Sequence, residues 1–412
     1  LINFLLGHLI KMRILDIKIR QISGNFKYSG ILWKERPGRP LDLYPPYRAQ
    51  NANDTIGRIF PKVADDMYQI TQKFLYIETD EEITGCIGPL TGDATDYYIL
   101  RQIRPLLLGK NPLLTEQLWD LMYKNAPNGR YGDNMIAISY CDFALWDIKA
   151  KQAKLPLYQM LGGAVQDQIV AYVSTAGLSL EPDDLRVTVK KLKSQGFLGM
   201  KWFLRCGVGD GDSGQEKNAE IIRILRSEAG PKIKIMIDAW SNWGLPYTLK
   251  MIDLVERYDP AWIEEPLQYN HYDSYTALKK NSPIPIAGGE HEFTRWGAKN
   301  ILDREMLDIY QFEPAWAGGM SEMLKINALV STYDVTFIPH VYLPSVSAQV
   351  AFLNNASTTP MLEYHYILGQ LYQFFLEKPL VPINGYFYPP QQIGLGINVD
   401  ENKIKSEMKI SL

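Results

Sequence analysis

Cysteine is scarce in this chain: Cys86, Cys141 and Cys206 are the only three in 412 residues. Their wide spacing fits neither a disulfide framework nor a cysteine metal site, and it points to a reducing compartment. Excess charge of one sign is also lacking. The formal net charge of −3 leaves no basic footprint, so nucleic acid is not an expected partner. Apolar runs long enough for a membrane are missing too. The opening LINFLLGHLIK is apolar for only about ten residues, about half of a membrane span. It has no basic leader and no small-residue cleavage site, so it does not read as a signal peptide. Residues 1–11 are therefore read as an extension ahead of a start at Met12, and the expected location is the cytoplasm. Low-complexity tracts and short-period repeats are absent.

What is present is a full core. With 46% hydrophobic and 22% charged residues, the chain suits two domains, or one barrel with a smaller attached domain. Up to about residue 150 the pattern is mixed. MRILDIKIRQI and KFLYIETDEEITGCIG alternate as strands do, while DYYILRQIRPLLLG and NPLLTEQLWDLMY carry helical spacing. The run MIAISYCDFALWDIKAKQAKLPLYQMLGG predicts a helix stopped at Gly162-Gly163.

From about residue 165 the rhythm becomes strand, loop, helix. IVAYVST, GMKWFL, IKIMIDAW, AWIEEP, IPIAGGE, LDIYQFEP, VTFIPH and PMLEYHY read as eight strands. Alternation with helices predicts a parallel sheet closed into a barrel. The tail VPINGYFYPPQQIGLGINV breaks the rhythm and reads as extra strands packing elsewhere.

Catalytic groups of such barrels sit at the C-terminal strand ends. Those ends carry Lys201, Asp238, Glu264, Glu290, Glu313, His340 and Glu363. Glu264 follows Asp238 by 26 positions and Glu290 follows Glu264 by the same interval, one strand-helix unit each. Three carboxylates at one mouth repel each other unless a cation holds them, and oxygen-only ligation selects Mg²⁺ before Mn²⁺. Alone, PIAGGEH would be an ordinary glycine-rich loop; in this series, Gly288 and Gly289 let the backbone turn close to the site while Glu290 supplies a ligand. His291 faces substrate or plays a structural part, and both readings stay open. His340 suits a general base, and Glu313, one strand earlier, could accept its other ring N–H. His8 reads as incidental and His271 as a loop residue, whereas His365, two residues past Glu363, falls near the mouth.

The stretches MIDAW, WIEEP, GGEH and IPH at barrel-strand spacing, with ALWDIKAKQAKLPLYQMLGG before them, resemble the enolase superfamily, in its mandelate racemase/muconate lactonizing enzyme-like branch. Within that branch LYPPYR, GDGDSG and the tail are most similar to the L-rhamnonate dehydratase group of sugar-acid dehydratases. The resemblance implies a (β/α)7β TIM-like barrel with an α+β N-terminal capping domain completed by the C-terminal segment. The implied division is 1–11 extension, 12–150 cap, 151–380 barrel and 381–412 return to the cap. It also implies one Mg²⁺ per subunit on Asp238, Glu264 and Glu290, and a His340–Glu313 base pair. Lys201 would neutralise the substrate carboxylate, with Glu363 opposite; His291 and Arg48 are further candidates for substrate binding. The implied activity is loss of water from an aldonate to give a 2-keto-3-deoxy acid, in an even-numbered homo-oligomer.

Two positions depart from the pattern. Racemases and lactonising enzymes of this branch carry a second lysine two positions after the first, where this chain has Phe203; a phenyl ring takes no proton, which favours one-base elimination. Glu313 stands where aspartate is usual, one methylene longer. In the cap loop RPGRPLDLYPPYRAQNAND the group's arginine position falls near Asn51, so either Arg48 anchors the substrate or specificity differs. Trp202, Arg205 and Trp240 are candidates for the pocket wall or for core and surface. The other readings are an epimerase or cycloisomerase on the same scaffold, and a non-catalytic sugar-acid or metal binder. L-Rhamnonate, L-fuconate, D-arabinonate, D-gluconate and D-galactonate are not distinguished by the sequence.

Overall fold

A computed structural model describes residues 12–50 and 59–411. His8, the extension 1–11 and Asn51 lie outside the described residues.

The first unit is an antiparallel sheet with helices against one face. Strand β1 (Ile14–Lys27) buries Ile17, Ile19 and Ile22. It pairs along its length with β3 (Met67–Thr79), Ile19 opposite Leu75. The short strands β2 (Lys62–Ala64) and β4 (Thr84–Ile87) flank β3. Helices α1 (Thr115–Asn125) and α2 (Asp133–Ala153) follow, and most of α2 is buried because it is packed from several sides. Helix α2 stops earlier than its apolar pattern predicts. Lys154 takes a left-handed conformation (φ 57°), and Pro156 disfavours helical geometry at Leu155. A separate turn, Leu157–Met160, then leads to Gly162-Gly163.

The second unit is a curled, barrel-like sheet of parallel strands alternating with helices. In chain order they are β5 (Ile169–Ser174), α3 (Pro182–Ser194), β6 (Gly199–Phe203), α4 (Gly211–Ala229), β7 (Lys234–Asp238), α5 (Leu245–Val255) and β8 (Trp262–Glu264). Next come α6 (Tyr272–Asn281), β9 (Ile286–Gly288), α7 (Thr294–Asp303), β10 (Ile309–Tyr310), α8 (Met320–Val330), β11 (Thr336–Phe337), α9 (Pro344–Ala351) and β12 (Met361–His365). The strands lie side by side in chain order from β5 to β11, with β12 on the other side of β5. The free edges of β11 and β12 approach each other where Phe337 N–H donates to the Thr358 carbonyl at 2.8 Å. Strand alternation divides the side chains. Ala171, Val173, Met200 and Trp202 face Leu185, Val189 and Leu225 of the helical layer, while Tyr172, Met236, Trp262, Ile309 and Met361 fill the interior. That interior plug floors the site, so the side chains above it meet over a dry base.

The tail departs from its expected course. Among the residues of VPINGYFYPPQQIGLGINV, only β13 (Tyr386–Phe387) is a strand, and it pairs antiparallel with β5 of the barrel-like sheet. The pairing with the first unit is made further on, by β14 (Ser406–Ile410) against β1. Three prolines within that stretch, Pro382, Pro389 and Pro390, keep it from forming longer ladders. Among the described residues, no helix is long and apolar enough to cross a membrane.

Candidate active site

Strand register brings the acids together. Asp238 and Glu264 are paired neighbours across β7 and β8, and Glu264 pairs with Ala287 just before the Gly288-Gly289 turn that delivers Glu290. The turn requires those glycines: Gly289 has φ 108°, and a Cβ at Gly288 would lie 3.3 Å from Glu265 Cγ. Trp240, Ser241 and Glu265 also adopt left-handed backbone conformations at the ends of β7 and β8 (φ 41°, 58° and 39°). Such strain clusters where backbone must be aimed rather than relaxed.

Lys201 occupies the centre, fully buried. Its Nζ lies 3.1 Å from Asp238 Oδ2 and 2.8 Å from Glu363 Oε1, and it donates to Glu264 Oε1. Burial alone would strip its proton, but Glu264, Glu363 and Asp238 hold its pKa well above the usual lysine value. The other oxygen of Glu264 accepts from Trp262 Nε1 at 3.0 Å and Gln311 Nε2 at 2.9 Å. Asp238 Oδ1 accepts from the Trp240 N–H at 2.9 Å.

His340 stands between carboxylates. Its Nδ1 is 2.8 Å from Glu313 Oε2, and its Nε2 is 3.2 Å from Glu290 Oε2. Glu313 is itself fixed, accepting the Ala315 N–H at 2.7 Å and the Tyr342 N–H at 2.8 Å. Burial opposes the His340 cation, yet Glu290, Glu313 and Glu363 outweigh it and push the pKa up to about 10. Burial likewise raises Asp238 well above the carboxylate range and Glu290 to about 7. Glu363 is held well below that range, because the positive charge gathered around it overcomes its burial.

Anions this deep, sharing a single lysine, are a poor arrangement without further positive charge. Asp238, Glu264 and Glu290 offer oxygen donors only, which fits a hard divalent cation. Among the described residues, the groups whose ligand atoms already lie within 4.8 Å of one another are His340/Glu363/His365 and Glu265/Glu290/His291. One histidine of each already has work: His340 is bound to Glu313, and His291 Nδ1 lies 3.0 Å from Glu265.

A cavity of about 590 Å³ opens above these groups, walled by Lys201, Asp238, Glu290, His291, His340 and His365 from the barrel-like sheet and by Trp33, Arg39 and Phe60 from the first unit.

Residues 184–403 match the family described as Enolase C-terminal domain-like, and residues 66–162 match the Mandelate racemase / muconate lactonizing enzyme N-terminal domain. The chain belongs to the enolase superfamily. L-Rhamnonate dehydratase of Saccharopolyspora erythraea is 29% identical over 369 residues, 88% of each chain. The crystal structure of L-rhamnonate dehydratase from Gibberella zeae superposes with a TM-score of 0.81 at 25% identity, covering 96% of both chains. The 3,6-anhydro-D-galactonate cycloisomerase of Zobellia galactanivorans has a TM-score of 0.72 at 30% identity, covering 84% of this chain and 97% of that one.

Short contacts link Lys201 with Asp238, Glu264 and Glu363, and His340 with Glu290 and Glu313; of these, Lys201, Asp238, Glu290 and His340 line the cavity, as does His291. Arg48 stands apart. It does not line the cavity; its Nη1 is 3.9 Å from Asp210 Oδ1, so it faces the loop before α4. The arginines at the cavity are Arg36 and Arg39. Arg36 is committed to Asp42 and to the carbonyls of Pro37, Tyr47, Arg48 and Gln50, and so holds the cap loop in shape. Trp202 is core, and Arg205 pairs with Glu35 at 2.8 Å; Trp240 does line the cavity.

Sequence reading passed over Glu265. Consecutive strand residues point to opposite faces, so the second acid of WIEEP would be expected to turn away from the mouth. Its left-handed φ of 39° brings the carboxylate back beneath His291, whose pKa it raises to about 9 against the effect of burial. The proline after it was the one available signal of a break in the strand.

Proposed function

We propose that this chain is a Mg²⁺-dependent sugar-acid dehydratase, taking the α-proton from an aldonate and expelling the C3 hydroxyl to leave a 2-keto-3-deoxy acid. The observation that supports it most is the His340–Glu313 contact at 2.8 Å beside the carboxylate cluster, with Lys201 at its centre. The reading includes one cation per subunit on Asp238, Glu264 and Glu290, a cap over residues 12–150, a (β/α)7β barrel over 151–380, and a segment 381–412 returning to the cap. It also includes an even-numbered homo-oligomer. When bound, the cation supplies charge to the substrate carboxylate, stabilising the negative charge that builds there when the α-proton leaves.

The chain's own residues do the rest. Lys201 gives the carboxylate a fixed ammonium, held in place by Glu363 at 2.8 Å. A cation on Glu290 would neutralise the carboxylate that does most to keep His340 protonated; the neutral imidazole then takes the α-proton at Nε2, while Glu313 accepts from Nδ1–H, which fixes the tautomer and stabilises the imidazolium that forms. The C–H electron pair becomes the C2–C3 double bond as the C3–O bond breaks. His340 then returns its proton to the departing hydroxyl, which leaves as water; the enol ketonises. Phe203, near Lys201 with its ring centroid 5.3 Å from Nζ, offers no second base, so epimerisation is disfavoured.

Similarity to the Zobellia cycloisomerase supports a second reading. It begins with the same proton abstraction but expels a ring ether oxygen instead of a hydroxyl. A panel of aldonates that includes a 3,6-anhydro acid, assayed with Mg²⁺ beside a His340→Ala control, separates the two by which substrate yields a 2-keto-3-deoxy acid. General acid–base groups contribute roughly 10²–10⁴-fold, so the control should lose at least the lower figure. No turnover of any acid, or turnover unchanged in the control, would remove the proposal.

A further inference from the structure

The mechanism above leaves one histidine at the mouth without a task. His365 ends β12, two residues after Glu363, so strand alternation places both on the interior face. Its ring is buried, 7% exposed, and forms part of the cavity wall. Nε2 lies 3.6 Å from Glu363 Oε2, and the ring meets that of His340 edge to face at 5.7 Å. Nδ1 is buried and has no hydrogen-bond partner among the described residues. An apolar residue would suit such a position better unless something entering the cavity supplies the missing partner.

Which nitrogen carries the proton follows from the neighbours. The Glu363 carboxylate, 3.6 Å from Nε2, is beyond hydrogen-bond reach, but its negative charge favours the tautomer with the proton on Nε2, leaving Nδ1 as an acceptor. Burial, then His340 and Lys201, pushes the His365 pKa down to about 4 against the pull of Glu363, so the ring is neutral. A neutral acceptor at the wall of a polyhydroxy-acid site is suited to a hydroxyl donor.

We infer that His365 Nδ1 accepts a hydrogen bond from one hydroxyl of the sugar-acid chain, making His365 a residue that selects the configuration at that carbon. This rests on the sugar-acid reading above, and it concerns binding rather than the proton transfer.

Three variants separate the functions of the two nitrogens. His365→Asn places an amide oxygen near Nδ1, His365→Gln places its amide near Nε2, and His365→Phe keeps a ring with neither. On the acid turned over best, His365→Phe should raise KM roughly 10- to 100-fold with a smaller change in kcat, and should lose preference between epimers at the contacted carbon. His365→Asn should recover part of both, and His365→Gln should not. Equal rescue by Gln would mean that His365 only positions Glu363, and an unchanged KM and preference in the Phe variant would also overturn the inference. Calorimetry of the same acids on Mg²⁺-loaded His340→Asn protein, with and without His365→Phe, reads affinity without turnover. Affinity lost on adding His365→Phe supports the inference even when no acid reacts, a result that would count against the dehydratase reading alone. Equal affinity, or no binding of any acid, overturns it.

Discussion

Glu313 Oε2 lies 2.8 Å from His340 Nδ1 and accepts the Tyr342 N–H at the same distance. The extra methylene relative to aspartate is thus taken up without loss of reach, because Ala315 and Tyr342 hold the two carboxylate oxygens in place. If Glu313 fixes the tautomer of His340, Glu313→Gln should cut kcat by roughly 10²–10⁴-fold, since an amide can present a donor where an acceptor is needed. Glu313→Asp should also be impaired, because the shorter side chain cannot keep both contacts. Steady-state kinetics with near-wild-type kcat for Glu313→Gln would remove Glu313 from the mechanism.

Metal dependence has a readout in stability. A cation that binds only the folded chain stabilises it by about 2.7 kcal/mol at 100 times its Kd, which raises the unfolding temperature by several degrees. Mg²⁺ should produce that shift, EDTA should reverse it, and Glu264→Gln should largely abolish it. A shift that survives in Glu264→Gln, Asp238→Asn and Glu290→Gln alike would place the cation elsewhere.

Phe203 leads to a stereochemical expectation. With a base on one face only, turnover in D₂O should produce no C2 epimer of the substrate. Nuclear magnetic resonance of the residual acid at partial conversion measures this. Accumulation of the C2 epimer would show that a second group delivers a proton, and would favour the epimerase alternative.

Stability should carry a pH signature from Asp142, on α2. It is fully buried and accepts from the Ser321 N–H at 2.8 Å and the Ser321 hydroxyl at 2.6 Å, pinning α2 to the start of α8. Burial outweighs those hydrogen bonds and lifts its pKa from 3.8 to about 7. The folded chain therefore holds this proton where the unfolded chain has lost it. The contribution is complete below about pH 3.8 and is lost as pH rises to about 7. Asp142→Asn should flatten that part of the profile, read as unfolding temperature across pH 4–8 for both proteins. Parallel profiles would show that Asp142 does not titrate in this range.

Much of the fold and site was legible in the sequence because periodicity and strand-end position are local properties. A short apolar run ending in an acid, repeated at the interval of one strand and one helix, points to both the parallel sheet and the edge at which Asp238, Glu264 and Glu290 emerge. His340 and Glu313 follow from the same rule. The stop of α2 was misplaced because the Gly162-Gly163 signal outweighed the nearer Pro156. Which arginine of the cap loop reaches the cavity was not legible, because direction in an irregular segment depends on what it packs against: Arg48 turns to Asp210, while Arg36 and Arg39 line the cavity.

The sequence by itself therefore determined the class of fold, the series of ionisable groups at the strand ends and the missing second base. Only the tertiary structure decided which charges meet: Lys201 among three carboxylates, Glu265 turned back under His291, and His365 with a buried nitrogen lacking a partner among the described residues. Backbone alternation is set residue by residue along the chain. Burial, pKa and hydrogen-bond partners are set by groups far apart in sequence, which come into contact only when the sheet curls.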